Sequence, residues 1–338
     1  MTINLISDTV TKPTPEMLQA MFEAEVGDDV FQEDPTINAL QEKVAQLLGK
    51  EAALFCPSGT MTNQIAIKVH TNPLDEVICD KTSHIYMYET GGYAFNSGVA
   101  IKLLDGINGK ISVDLLTNAV NGDFDWLPKS QLVVLENTTN KGGGNYYTLD
   151  EIKEIRGFCL EKGLKTHLDG ARLFNALVET NDSPLEIARH FDSVSLCISK
   201  GLGAPVGSVL AGKADFIKQA RRFRKAMGGG MRQAGYLAAA CIYALDNNVD
   251  RLKIDNDRAK KLGKILAELP YIETVKPVKT NIVIFDLKKP LLAADFVEML
   301  AQHGVLAVPF GVRSVRFVTH LDLTEEMIDQ TIEVLKNI

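Results

Sequence analysis

At 338 residues the chain exceeds the size at which one hydrophobic core stops growing, so a large domain with a smaller companion is expected. A net charge of −7 without runs of like charge excludes a nucleic-acid surface and disfavours an anionic membrane, leaving small molecules and copies of the chain itself as partners. Cys56, Cys79, Cys159, Cys197 and Cys241 lie far apart with no zinc-type spacing, and the start Met1-Thr2-Ile3-Asn4 has no signal-peptide character. No stretch of about 18 apolar residues occurs, so a soluble, cytoplasmic protein with reduced cysteines is expected.

In chain order, Asp34 is placed to cap a helix with Pro35 at its first position, Ile37, Leu40, Val44, Leu47 and Leu48 forming its apolar stripe and Gly49 ending it. Short apolar runs bounded by polar residues then predict buried strands at 52–56, 77–79, 101–104, 132–135, 164–168, 194–198 and 206–211. Thr148 and Glu151 form a capping box opening a helix that runs to Gly163, ahead of the strand that delivers Asp169. This alternation predicts an α/β large domain, residues 1–248, with a mostly parallel seven-stranded sheet and an N-terminal arm of about 14 residues. A helix over 231–247 leads to a pattern of helix 251–269, strand 281–287, a helix to His303, strand 315–319 and a last helix capped by Thr324. That pattern predicts a small α+β domain over 249–338.

The chemistry concentrates on Lys200, in Ser199-Lys200-Gly201-Leu202-Gly203 at the end of a strand. A partly desolvated amine there favours the neutral nucleophile that forms an imine with an aldehyde, and pyridoxal 5'-phosphate (PLP) is the aldehyde to expect. Asp169, on another strand end, is the carboxylate that would keep the pyridine nitrogen protonated. Ser58, Gly59 and Thr60 open a helix whose free N–H groups suit a phosphate, and Ser199 could add a hydroxyl. His84 follows a strand end and could stack on the ring and move protons. Arg172, Arg313 and Arg316 are candidates to fork onto an amino-acid carboxylate, and Arg172 falls near the cofactor as well. A metal site built on His167 and Asp169 with Glu33 or Asp34 is conceivable, although capping and a solvated loop explain the acidic residues more simply.

These residues sit in motifs spread over nearly the whole chain: Ser7-Asp8-Thr9-Val10-Thr11, Val26-Gly27-Asp28-Asp29-Val30, Pro57-Ser58-Gly59-Thr60-Met61, Glu136-Asn137-Thr138, Asp169-Gly170-Ala171-Arg172, Ser199-Lys200-Gly201, Gly228-Gly229-Gly230-Met231-Arg232-Gln233 and Arg316-Phe317-Val318-Thr319-His320. With them the chain resembles the low-specificity L-threonine aldolases, PLP-dependent enzymes of the aspartate-aminotransferase-like fold. The resemblance implies Lys200 as the Schiff-base lysine, Asp169 as partner of the ring nitrogen, His84 as the stacking residue, and Gly59 and Thr60 as phosphate ligands. It further implies Ser7, Arg172 and Arg316 at the substrate carboxylate, Arg232 near a phosphate across a subunit interface, and a homotetramer.

Trp126 stands where many members carry a histidine that contacts the substrate β-hydroxyl. Gln32 replaces a usual glycine after Phe31, itself commonly tyrosine, and Thr139 replaces a frequent histidine. Because an indole cannot accept a proton, His84 becomes the preferred base for a retro-aldol cleavage of β-hydroxy-α-amino acids to glycine and an aldehyde. The alternatives are an aryl-serine aldolase favoured by Trp126, a β-eliminating lyase of the same fold, a metal-dependent lyase, and a non-catalytic binding module.

Overall fold

Strands buried on both faces must be apolar at consecutive positions, and that requirement is visible in the computed structural model, which describes residues 2–338. Its strands are β1 (Ile3–Asn4), β2 (Ala52–Cys56), β3 (Asp75–Asp80), β4 (Ala100–Leu104), β5 (Lys129–Glu136), β6 (Lys165–Gly170), β7 (Ser193–Cys197) and β8 (Ser208–Gly212), followed by β9 (Ile272–Val275), β10 (Ile282–Leu287), β11 (Val305–Leu306), β12 (Val308–Pro309) and β13 (Ser314–Val318). Seven of them form one sheet in the order β2-β8-β7-β6-β5-β3-β4, as the sequence predicts. Only β8 runs antiparallel to its neighbours.

Alternate residues of each strand face opposite layers. Phe55, Val133, Leu135, Val194, Leu196 and Val209 enter the largest core beneath helices Pro35–Leu48 and Gly235–Asn247. Leu54, Cys56 and Leu210 face the opposite layer with helices Gly59–His70 and Ala214–Ala226, while Leu132 and Val134 face a further cluster on that side. The carboxylate of Asp34 is fully buried between two helix starts, its oxygens accepting from the N–H groups of Ile37 at 3.0 Å and Gly235 at 2.9 Å. It therefore caps helix Pro35–Leu48 as predicted and fixes a second helix besides.

The predicted helix over 231–247 begins only at Gly235, because residues 228–234 form the glycine turn that brings Gly235 to Asp34. Helix Ala214–Ala226 is absent from the sequence reading, since its many cationic residues mask an apolar stripe of Phe216, Ile217 and Ala220. The C-terminal residues build a four-stranded antiparallel sheet, β12-β13-β10-β9, over a second core that includes Phe285, Phe296 and Phe317. β1 pairs in parallel with β11, and Ile3 and Leu5 lie in that second core, so the N-terminal arm is bound to C-terminal elements.

In a parallel sheet the carboxyl ends of the strands share one edge, where ligands bind. That edge carries the residues after β3, β5, β6 and β7, with Glu136 in register with Asp169 and Asp169 with Ser195. After β7 the loop 198–207 returns the chain antiparallel into β8, its two ends closed by the N–H groups of Ile198 and Ser199, which both donate to the Gly207 carbonyl at 3.0 and 3.2 Å. Gly207 holds φ +137°, and a methyl group there would lie 2.6 Å from Cys241 Sγ and 2.8 Å from Phe55 Cε2. Gly207→Ala should therefore lower the unfolding free energy by roughly 2–4 kcal/mol in denaturant titration, through backbone strain and overpacking together.

Candidate active site

Two adjoining cavities open on this edge. The inner, of about 180 Å³, is lined by Ser58, Gly59, Thr60, Asn63, His84, Asp169, Ser199 and Lys200 among others. The outer, of about 440 Å³, is lined by Ser7, Tyr88, Asn140, Lys141, Arg172, Phe310 and Arg316, and both share Thr9, His84 and Lys200.

Lys200 stands in the loop between β7 and β8, half-buried, with its carbonyl accepting from the Gly203 N–H at 2.8 Å. Asp169 is buried, and its oxygens accept from Asn63 Nδ2 at 2.8 Å and the Ala171 N–H at 3.1 Å. Ser58 extends its backbone at the start of helix Gly59–His70 and its hydroxyl accepts from the Met61 N–H, so Gly59 and Thr60 present a helix N-terminus to the inner cavity.

His84 begins the short helix after β3. Its N–H donates to Glu136 Oε2 at 2.7 Å, and its Nδ1 lies 3.0 Å from Glu89 Oε1. A carboxylate can only accept here, so Nδ1 carries the proton and Nε2 is left for other work. Burial pushes the His84 pKa down, but the bond to Glu89 and the charges of Asp169, Glu89 and Glu136 outweigh it and hold the imidazole above its ordinary value. Glu136 is raised to about 7, first by burial and then by the charge on Asp169. Asn63 donates to both Asp169 and Glu89, at 2.8 and 2.9 Å, which ties the two halves of this acidic cluster together.

The outer cavity is cationic. Arg172 is buried and grips Asp8 in a bidentate pair, Nε to Oδ2 and Nη2 to Oδ1, both 2.7 Å. Burial works against the Asp8 charge, yet the guanidinium outweighs it and holds the carboxyl far below its usual range. Arg316 donates from Nη1 to Asn140 Oδ1 at 2.8 Å and from Nη2 to the Ile6 carbonyl at 3.0 Å, and its guanidinium lies 4.7 Å from the Phe310 ring centroid. Its buried Nε has no partner, and burial followed by repulsion from Arg172 lowers its pKa to about 10. Ser7 caps the turn Asp8–Val10 at the same wall, its hydroxyl accepting from the Thr9 N–H.

The chain therefore brings together Lys200, Asp169, His84, Ser58, Gly59, Thr60, Ser199, Arg172, Arg316 and Ser7. It does not bring Trp126 to them. That residue is 77% exposed, stacked on Phe124 before the start of β5, whereas the site lies beyond the other end of that strand, roughly 25 Å of extended chain away. Arg232 also lines neither cavity, its exposed guanidinium pairing with Asp28 at 2.8 Å. Arg313 pairs with Glu273, and of the residues considered for a metal His167, Asp169 and Asp34 are held by hydrogen bonds while Glu33 is exposed. Both nitrogens of His167 are bonded, to Ser193 Oγ at 2.8 Å and Asn63 Oδ1 at 3.1 Å, and its pKa falls to about 4 through burial. Gln32 takes the left-handed φ of +63° that explains a glycine preference there, and Thr139 is buried with its hydroxyl on the Asn108 carbonyl.

Sequence reasoning missed Asp8, Asn63, Glu89, Tyr88, Lys141 and Phe310. For Asn63 a signal existed, as a polar residue on the buried face of an otherwise apolar helix. Asp8→Asn should unpair a buried guanidinium and cost about 3–5 kcal/mol in equilibrium unfolding at neutral pH. Because the folded pKa of Asp8 is depressed, the difference from the parent chain is present above about pH 4 and shrinks as the pH falls below it.

Solved structures share this fold. The threonine aldolase of Leishmania major superposes with a TM-score of 0.83 at 24% identity, covering 99% of both chains. A putative L-allo-threonine aldolase of Listeria monocytogenes gives 0.83 at 22% identity, covering 99% of this chain and 96% of that one. Fold and edge site together define an α/β chain that presents a lysine at the carboxyl edge of a mostly parallel sheet. The chain belongs to the beta-eliminating lyase family, whose model matches residues 4–290. It is 42% identical over 328 residues to the low specificity L-threonine aldolase of Escherichia coli K12, 96% of each chain, and 39% identical over 345 residues to a probable low-specificity L-threonine aldolase 2 of Arabidopsis thaliana, 100% of this chain and 97% of that one.

Proposed function

We propose that the protein is a carbon–carbon lyase that cleaves L-threonine, L-allo-threonine and related β-hydroxy-α-amino acids to glycine and an aldehyde with the help of PLP. The observation that carries this reading is the joining of the two cavities at Lys200 and His84, an inner one suited to a flat anionic aldehyde and an outer one with an arginine whose buried Nε lacks a partner.

The donor set fits that cofactor. Lys200 offers the amine, Asp169 a carboxylate held by Asn63, and Ser58, Gly59, Thr60 and Ser199 the hydroxyl and N–H groups for a phosphate. When bound, the cofactor supplies an electron sink for the bond that breaks at the substrate α-carbon. Asp169 would keep the ring nitrogen protonated, and His84, shared by both cavities, would be the residue beside the ring. Arg316, Arg172 and Ser7 would hold the substrate carboxylate and so orient its α-carbon. His84 Nε2 takes the β-hydroxyl proton, with Glu89 orienting the imidazole through Nδ1.

Arg232 and Trp126, which lie away from this chain's own cavities, would serve a neighbouring copy in a homotetramer. Among the described residues no helix is long and apolar enough to cross a membrane. The five cysteines are free, as a reducing cytoplasmic setting would keep them.

The direct test is incubation with L-threonine, L-allo-threonine and phenylserine, with borohydride trapping in parallel. Glycine and aldehyde in equal amounts, with the adduct mapped to Lys200, are expected. Ammonia and a keto acid would instead indicate β-elimination, and a trapped peptide lacking Lys200 would remove the cofactor assignment.

A pH profile tests the base. Since only unprotonated Nε2 accepts a proton, kcat/KM should rise with pH through an apparent pKa above 6.5, in line with the raised value of His84. His84→Asn should lower kcat about 100-fold and abolish that limb while cofactor absorbance persists, a magnitude typical of lost general-base catalysis. A limb that survives in His84→Asn would shift the role to another group of the cluster.

A further inference from the structure

We propose that the outer cavity accepts β-hydroxy-α-amino acids whose side chain ends in a second carboxylate, the 3-hydroxyaspartate class, and that Lys141 receives that carboxylate. The proposal rests on the retro-aldol reading and narrows its substrate.

The argument is one of charge. Arg172, Arg316, Lys141 and Lys200 line the outer cavity, and no aspartate or glutamate does. Lys200 is committed to the cofactor, and Arg172 is matched by Asp8 at 2.7 Å. The α-carboxylate of an amino acid then matches Arg316. Lys141 is left over, and among the described residues it forms no ion pair.

Its placement suits an anion. Nζ donates to the Phe310 carbonyl at 3.0 Å and lies 3.6 Å from the centroid of the Phe310 ring, so the ammonium is held at the cavity wall with donors to spare. The Lys141 carbonyl accepts from Lys276 Nζ at 3.0 Å, which brings a further cation behind it. Burial, then Arg316 and Lys276, lowers the Lys141 pKa, as expected of an ammonium set near other cations with no acidic partner. Threonine, whose side chain ends in a methyl group, offers none.

The reaction balances without an oxidant or water. The β-hydroxyl gives its proton to the base, the oxygen becomes a carbonyl as the Cα–Cβ bond breaks, and the α-carbon keeps the electron pair and takes a proton. 3-Hydroxyaspartate yields glycine and glyoxylate.

The test measures kcat/KM of the holoenzyme for L-threonine and L-threo- and L-erythro-3-hydroxyaspartate, with Lys141→Met and Lys141→Arg. At least one hydroxyaspartate isomer should give equal amounts of glycine and glyoxylate. Lys141→Met should reduce its kcat/KM relative to that of threonine by about five- to tenfold, and Lys141→Arg should restore most of the ratio, as expected for one charge-assisted contact. Calorimetric titration should show L-aspartate binding more tightly than L-alanine to the parent protein and losing that preference in Lys141→Met. Threonine cleavage without hydroxyaspartate cleavage, an unchanged substrate ratio in Lys141→Met, or equal affinities for aspartate and alanine in the parent protein would each overturn the proposal. If no β-hydroxy amino acid is cleaved, the retro-aldol reading itself fails and this one falls with it.

Discussion

The interaction on which the site depends is the buried pair between Asp8 and Arg172. Asp8 comes from the N-terminal arm and Arg172 from the turn after β6, and Asp8 Oδ2 also accepts from Asn281 Nδ2 at 3.1 Å, at the start of β10. One carboxylate thus joins the first residues, the main sheet and the C-terminal sheet. Two charges removed from water are favourable only when geometry and hydrogen bonds are nearly complete, and the bidentate fork plus Asn281 meets that condition. The arm is further stitched in by Val318 N–H to the Leu5 carbonyl and by His320 Nε2 to the Asn4 carbonyl. Arg316 in turn donates to the Ile6 carbonyl, so the wall of the outer cavity is assembled from three stretches that are remote in sequence.

A second organising group is Asn63. Its amide donates to Asp169 and Glu89, and its carbonyl faces His167, which continues through Ser193 to His70. Burial holds both of these histidines neutral, at about 4 for His167 and about 3 for His70. Asp169 is therefore backed by dipoles rather than by a cation. His84 and Glu89 stand beside it, ligand atoms of the three residues all lying within 4.8 Å of one another.

Much of this was legible in the sequence. The seven strands read correctly because a central parallel strand has no polar face, so Val133 to Leu135 or Val194 to Leu196 leave no choice of period. Lys200, Asp169 and the Ser58 turn were legible because each follows such a run by a few residues, where a strand must end. Asp8 was not, because Ser-Asp-Thr near a terminus reads as a turn, and only the folded chain shows that the carboxylate meets Arg172. Trp126 lies away from this chain's own cavities for a related reason. A motif gives a residue's distance along the chain, but an eight-residue strand separates it from the edge where the chemistry sits. Lys141 and Phe310 were invisible as a pair, since they meet only when β12 and β13 are laid beside the loop after β5.

The buried loop that returns the chain from β7 into β8 has a consequence for how such a protein can diversify. Residues 201–204, directly after Lys200, are buried, so extra residues there would have to be fitted into packed interior instead of bulging into solvent. The amine is in effect riveted to the scaffold. Adaptation to new aldehydes is then confined to the rim supplied by the arm, the loop at Asn140 and the C-terminal strands, where exchanging one side chain leaves the scaffold intact.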